Sequence, residues 1–210
     1  MDMGIVHARL DRRAAIMGLW DYLDPEGPWI ITGHHIAFDM CAVCANWPEL
    51  TPRVFAAYER GKIKCTLLRE QLLDIAQGTR KKLYDLESVV NRYPGIPPVN
   101  KSEDWRLRFG ELANTPVSDW PDAAVNYAKG DVWSQFLLHL RQGDRGAAFA
   151  ADVFDDECRQ AAADFWLTLV SCWGVHTDPL AVEAYYNAEK AKLDSYRDEL
   201  IKAGLVRPNG

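Results

Sequence analysis

One stretch constrains this chain more than any other: Ile30-Ile31-Thr32-Gly33-His34-His35-Ile36-Ala37-Phe38-Asp39. A β-branched run meets a Gly-His turn, and helical patterning begins directly behind it. That order predicts a buried strand handing the chain to a helix whose first turn carries a carboxylate. In α/β proteins chemistry collects outside the carboxyl ends of the strands, and Asp39 stands at such an end. Taken alone, Asp39 is also what a helix first turn favours for its dipole.

The surrounding pattern supports a parallel layer. A short strand is expected over 4–8, then a helix capped by Asp11 with Ala15, Ile16, Leu19, Trp20 and Leu23 on its apolar face. Asp24-Pro25-Glu26-Gly27-Pro28 reads as a turn. A strand over 29–32, helices over 36–45 and 51–61, a strand over 62–66 and a helix over 67–76 follow. Strand and helix alternate, which argues for an α/β class with parallel strands.

Beyond Gly78 the pattern turns helical, with helices over 83–91 and 101–109 flanking a stiff Pro-rich loop. A long helix capped by Ser118 or Asp119 takes Pro121 in its first turn and ends near Gly143. A composition break over 141–146 places a boundary there. The expected division is an α/β domain over 1–143 and a helical segment over 144–210. The second part reads as two helices, over 152–173 and from the cap Asp178 to Gly204.

Composition narrows the chemistry. Net charge is −6, so there is no global basic footprint, and nucleic-acid binding needs local patches. An acidic balance suits a site that gathers divalent cations on carboxylates. Five scattered cysteines suggest no disulfide framework and a reducing compartment. With neither a signal segment nor a membrane-length apolar run, a cytoplasmic location is expected. Cys41-x-x-Cys44 sits three apart on a predicted helix, which favours core packing; His34 and His35 nearby keep a metal reading open. Arg80-Lys81-Lys82 reads as a solvated basic loop.

Two constellations carry a family resemblance. Gly33-His34-His35-Ile36-Ala37-Phe38-Asp39 resembles the second motif of DEDD-type 3′–5′ exonucleases, Gly-His-Asn-x-x-Phe/Tyr-Asp. Tyr127-Ala128-Lys129-Gly130-Asp131, behind Trp120-Pro121-Asp122-Ala123-Ala124-Val125-Asn126, resembles the third motif of the tyrosine subclass, Tyr-x-x-x-Asp. Between them, Lys101-Ser102-Glu103-Asp104-Trp105-Arg106-Leu107-Arg108-Phe109-Gly110-Glu111-Leu112 is similar to a stretch of bacteriophage family-A DNA polymerases. The segments 166–178 and 200–210 are similar to the opening of the polymerase region in those enzymes.

The resemblance implies a partial ribonuclease-H-like exonuclease fold followed by helices, and 3′–5′ proofreading in phage DNA replication, in the host cytoplasm. Asp39 and Asp131 would bind Mg2+ or Mn2+ in a two-metal site, and Tyr127 would orient the attacking water. His35, Phe38, Lys101, Arg106 and Arg108 would hold the single-stranded 3′ end of DNA. The expected partners are DNA and the remainder of a DNA polymerase.

The chain also departs from the pattern. The family's first motif, Asp-x-Glu on the first strand, has only Asp24-Pro25-Glu26 as a candidate, and its prolines make that a turn. His35 stands where the family has Asn, and Cys65 where Asp-Thr is usual. The expectation is therefore an N-terminally truncated exonuclease region, inactive alone. The alternatives are a non-catalytic DNA-binding or assembly module of a split polymerase, or a free-standing exonuclease.

Overall fold

The computed structural model describes residues 12–99, 105–174 and 176–207, so the strand expected over 4–8 and the cap Asp11 lie outside the described residues. Two compact units are present, 1–170 and 171–210.

In the first unit the strands are β1 (Ile31–Gly33) and β2 (Ile63–Cys65). They pair in parallel, with Ile31 opposite Ile63 and Gly33 opposite Cys65. Between them run α2 (Ile36–Asn46) and α3 (Thr51–Glu59), preceded by α1 (Arg12–Tyr22). Then come α4 (Thr66–Ala76), the short α5 (Leu86–Val90) and α6 (Trp105–Arg108), and the 28-residue α7 (Asp122–Phe149). The class is mixed α/β, as the alternating pattern requires, and helices dominate.

The main core lies over one face of this βαβ unit. Ile36, Ala37, Met40 and Val43 of α2 meet Leu50, Val54 and Ala57 around α3, with Ile63 and Cys65 beneath. The helix α8 (Glu157–Trp173) closes the core with Ala161, Phe165 and Leu169. Phe165 stacks on Tyr58 with ring centroids 4.5 Å apart. Cys41 is buried here, as three-apart spacing on an apolar helix face predicts. A second cluster, Val89, Val90, Tyr93, Ile96, Val99 and Leu138, fastens α5 and its following loop to α7.

Several helix limits differ from the sequence reading. Ser118 and Asp119 belong to a 3-10 turn, and α7 starts at Asp122 behind Pro121. It passes through Gly143 and ends at Phe149, six residues later than expected. Glycine lowers helix propensity without forbidding the helix, and here α7 has packing partners on several sides. Thus 143 is mid-helix, and the compact units part at 170–171. The following helix α8 starts at Glu157, where 152 was expected.

The second unit contains α9 (Pro179–Lys202). Its limits follow the sequence signals closely. Asp178 accepts from the amides of Leu180 and Ala181 at 2.9 and 3.4 Å. At the other end Gly204 takes φ 72°. The Leu205 amide reaches the Leu200 carbonyl and the Gly204 amide reaches that of Ile201, a Schellman closure. No helix among the described residues is long and apolar enough to cross a membrane.

Gly146 tests the packing of α7. A Cβ there would overlap the ring of Phe154 and lie 3.0 Å from Val153 Cγ1. In an open helix Gly→Ala gains about 1 kcal/mol. Gly146→Ala should instead lose about 1–3 kcal/mol through overpacking, read from urea unfolding. Gly143→Ala, with no neighbour within 4 Å of its Cβ, is expected to stabilise.

Candidate functional site

The strand β1 ends at Gly33, where a side chain would have to displace that of Ile36. A Cβ there would lie 2.5 Å from Ile36 Cδ1, the side chain that folds back over the turn. His34 follows and is held on three sides. Its amide donates to Gln135 Oε1 at 3.0 Å. Its Nε2 lies 2.8 Å from the Tyr84 carbonyl, which can only accept, so that nitrogen carries the proton. Its Nδ1 lies 3.0 Å from the Thr66 hydroxyl oxygen, which is also 3.3 Å from the Gly33 carbonyl. Both ring nitrogens thus have protein partners, and they tie the turn after β1 to α4 and to the Tyr84 backbone.

His35 then takes φ 61° and ψ 42°, making it the one described non-glycine residue at positive φ. Asn, Asp and His are the residues enriched in this left-handed region. A histidine at 35 is therefore one of the few non-glycine residues suited to this step. The His35 side chain is half exposed, with Nδ1 4.0 Å from Asp164 Oδ2.

Phe38 and Asp39 lie on the first turn of α2. Phe38 is 63% exposed, an aromatic face left open to solvent. Asp39 is exposed as a residue, yet the protein around its carboxyl removes enough water to raise its pKa. His35 and the Asp39 backbone amide oppose that shift without cancelling it.

Tyr127 and Asp131 share one face of α7, one turn apart. Both line a cleft of about 340 Å³ with Pro98, Val99, Ala123, Asn126 and Gly130. The Tyr127 ring is set by Phe109, whose centroid is 6.0 Å away and which also meets Trp105 and Trp120 at 6.5 and 5.9 Å. Trp120 is itself fixed, Nε1 donating to the Thr115 carbonyl at 3.1 Å. The segment expected to hold DNA thus packs against α7. Arg108 lies 4.6 Å over the Trp105 ring, and its Nη2 reaches Glu111 at 2.9 Å. That hydrogen bond lowers the Glu111 carboxyl pKa. Lys101 and the Arg106 side chain lie outside the described residues.

The two motifs meet through Gln135. It holds the His34 amide and stands one turn beyond Asp131 on α7, a rise of about 6 Å. Asp131 lines the cleft, whereas Asp39 does not. Among the described residues, no three His, Cys, Asp or Glu side chains converge as a metal-binding group. Two-ion catalysis needs several carboxylates at once, and the two motifs supply Asp39 and Asp131. Asp24-Pro25-Glu26 forms the expected turn, with the Glu26 amide on Asp24 Oδ1 at 3.1 Å. The Glu26 carboxylate pairs with Arg60 at 2.9 Å.

Behind the strands lies a polar cluster that the sequence pattern does not announce. Glu157 is 2% exposed and contacts Lys64 at 3.3 Å and Arg69 Nε at 3.1 Å. The Arg69 contact is an ion pair without hydrogen-bond alignment, since neither atom has a bonding partner. Arg69 Nη1 donates to His139 Nδ1 at 2.8 Å and to the His139 carbonyl at 3.0 Å. His139 also lies 3.3 Å from the Thr32 hydroxyl. Gln135 and His139 continue the face of Tyr127 and Asp131 at four-residue steps, and that spacing is the signal that could have found them. No protein-family model, curated protein or solved structure matches this chain.

Burial, with Arg69 and Lys64 beside it, pushes the His139 pKa from 6.5 down to about 4. The unfolded chain then binds a proton between those values that the folded chain refuses. This contribution is full above about pH 6.5 and is lost as pH falls through 4. The urea midpoint should decline from pH 6.5 to 4.5, and His139→Asn should flatten that decline. An unchanged slope in the variant would show that His139 is not the group responsible.

Proposed function

We propose that this chain carries the 3′–5′ exonuclease region of a bacteriophage-type family-A DNA polymerase, with a ribonuclease-H-like ancestry, and that it engages single-stranded DNA 3′ ends. The observation that carries the reading is the cleft at α7, where Tyr127 and Asp131 line one wall. On the same helix, one turn on, Gln135 holds the turn that leads to Phe38 and Asp39. Asp39 and Tyr127 are 88 residues apart in the chain, and the turn before Asp39 is hydrogen-bonded to the helix that carries Tyr127. Phe38 offers an exposed ring on which a base can stack, worth about 1–3 kcal/mol per base.

The small donor set favours the non-catalytic form of this reading, a DNA-binding module of a polymerase. Asp39 and Asp131 together bring two negative charges, and two divalent ions carry four positive ones. His35 does not make up the difference, because a neutral imidazole brings no charge and a protonated one repels the metal. Asp39 and Asp131 remain the residues that would hold Mg2+ or Mn2+, weakly, and Tyr127 would orient water only beside such an ion.

Two measurements on the full chain decide this. A 3′-labelled single strand with Mg2+ or Mn2+ should be cleaved no faster than by the Asp39→Ala, Asp131→Ala double variant. Fluorescence anisotropy should show binding of the same strand, weakened about 5- to 150-fold by Phe38→Ala. Robust cleavage lost in the double variant would make a free-standing exonuclease the better reading. Absence of DNA binding would remove the proposal.

A further inference from the structure

Arg80-Lys81-Lys82 is the longest run of consecutive basic residues in the chain. It sits in the loop between α4 and α5, and all three side chains are exposed. Among the described residues none of the three forms an ion pair, although acidic side chains outnumber basic ones 30 to 24 over the chain. They line a second cleft of about 400 Å³ with Gln71, Ile75 and Thr79, and Tyr84 closes it.

The loop is not a loose surface strand. Asp74, 1% exposed, holds both of its ends. Thr79 donates its amide to the Asp74 carbonyl at 2.8 Å, and the Tyr84 hydroxyl donates to Asp74 Oδ2 at 2.8 Å. The Lys81 amide closes the turn on Tyr84 Oη at 3.1 Å. Arg92 donates to the Leu83 carbonyl and lies 5.1 Å over the Tyr84 ring. None of these bonds uses the Arg80, Lys81 or Lys82 side chains. The three cations are therefore displayed by a scaffold fixed without them, so a bound anion need not order the backbone.

The position also matters. The Tyr84 carbonyl receives the His34 Nε2 proton, so the far end of the loop is bonded to the turn that leads to Phe38 and Asp39. Beside the cations stand apolar surfaces, Ile75 at 72% and Leu83 at 58% exposure. Alternating cationic and apolar surface is what a nucleic-acid strand requires, with phosphates on the charges and sugars or bases on the apolar faces. A chain of net charge −6 repels a polyanion elsewhere, so contact must be concentrated where cations are unpaired.

We propose that the Arg80–Lys82 loop and its cleft bind the phosphate backbone of single-stranded DNA as it approaches the Phe38–Asp39 turn. This inference rests on the DNA-binding reading above and assigns that reading a second contact surface. The three cations replace condensed counterions on the strand, so binding through them is salt-dependent.

The test is anisotropy of a 5′-fluorescein thymidine 12-mer with a free 3′ end, titrated with the full chain at several salt concentrations. The wild type is compared with an Arg80→Ala, Lys81→Ala, Lys82→Ala variant and with a milder Lys81→Gln, Lys82→Gln variant. Circular dichroism melts check that the fold survives in each. The triple variant should bind more than about tenfold more weakly at low salt, with a log K against log salt slope shallower by about 2, three phosphates at about 0.7 each. The double variant should show roughly two thirds of that slope change. Equal affinity and slope in folded variants would overturn the track while leaving the DNA-binding reading in place. No binding by the wild type itself would overturn both.

Discussion

Two carboxylates out of water hold the first unit together. Glu70 and Asp74 sit one turn apart on α4, 0% and 1% exposed. Left alone, each would cost several kcal/mol of desolvation. They are met by Arg92, which follows α5, and by Arg145 of α7, both at 3.0–3.6 Å. Tyr93 Oη and Gln142 Nε2 fill the remaining positions on Glu70 at 2.5 and 3.1 Å. A buried pair that loses one partner is strongly destabilised. The cluster therefore fixes where α7 lies on α4, and with it where the Tyr127–Asp131 face stands relative to the end of β1.

This constraint was invisible in the sequence for a physical reason. On an amphipathic helix Glu70 and Asp74 read as solvent-facing, and their partners lie up to 75 residues away. Glu157 was hidden in the same manner. What is local was legible. The β-branched run, glycine and helix start at 30–39 formed β1, the turn and α2, and the Asp-Pro and glycine signals set both ends of α9. Tyr127 and Asp131 shared a face because a four-residue step on a helix demands it. The limits of α7 escaped because a glycine such as Gly143 stops a helix only when nothing packs beyond it.

The site residues divide along the same line. Asp39, Asp131 and Tyr127 were placed by local periodicity, and their relation to one another depends on Gln135, a side chain with no motif to mark it. Arg108 illustrates the converse. Its charge suggested a phosphate contact; the fold adds local partners that the charge does not announce, Trp105 and Glu111, three residues away on either side. Around it Phe109, Trp105 and Trp120 form an aromatic brace whose effect is to orient the Tyr127 ring.

The left-handed turn at His35 has a consequence for how this sequence can drift. Only glycine and a few short or polar residues enter that conformation without strain, and β-branched side chains would have to rebuild the step from β1 into α2. Gly33 is bound just as firmly by Ile36. The turn therefore filters replacements by shape, whatever Asp39 does. A Gly-His-x pattern can thus be held in place by backbone geometry alone.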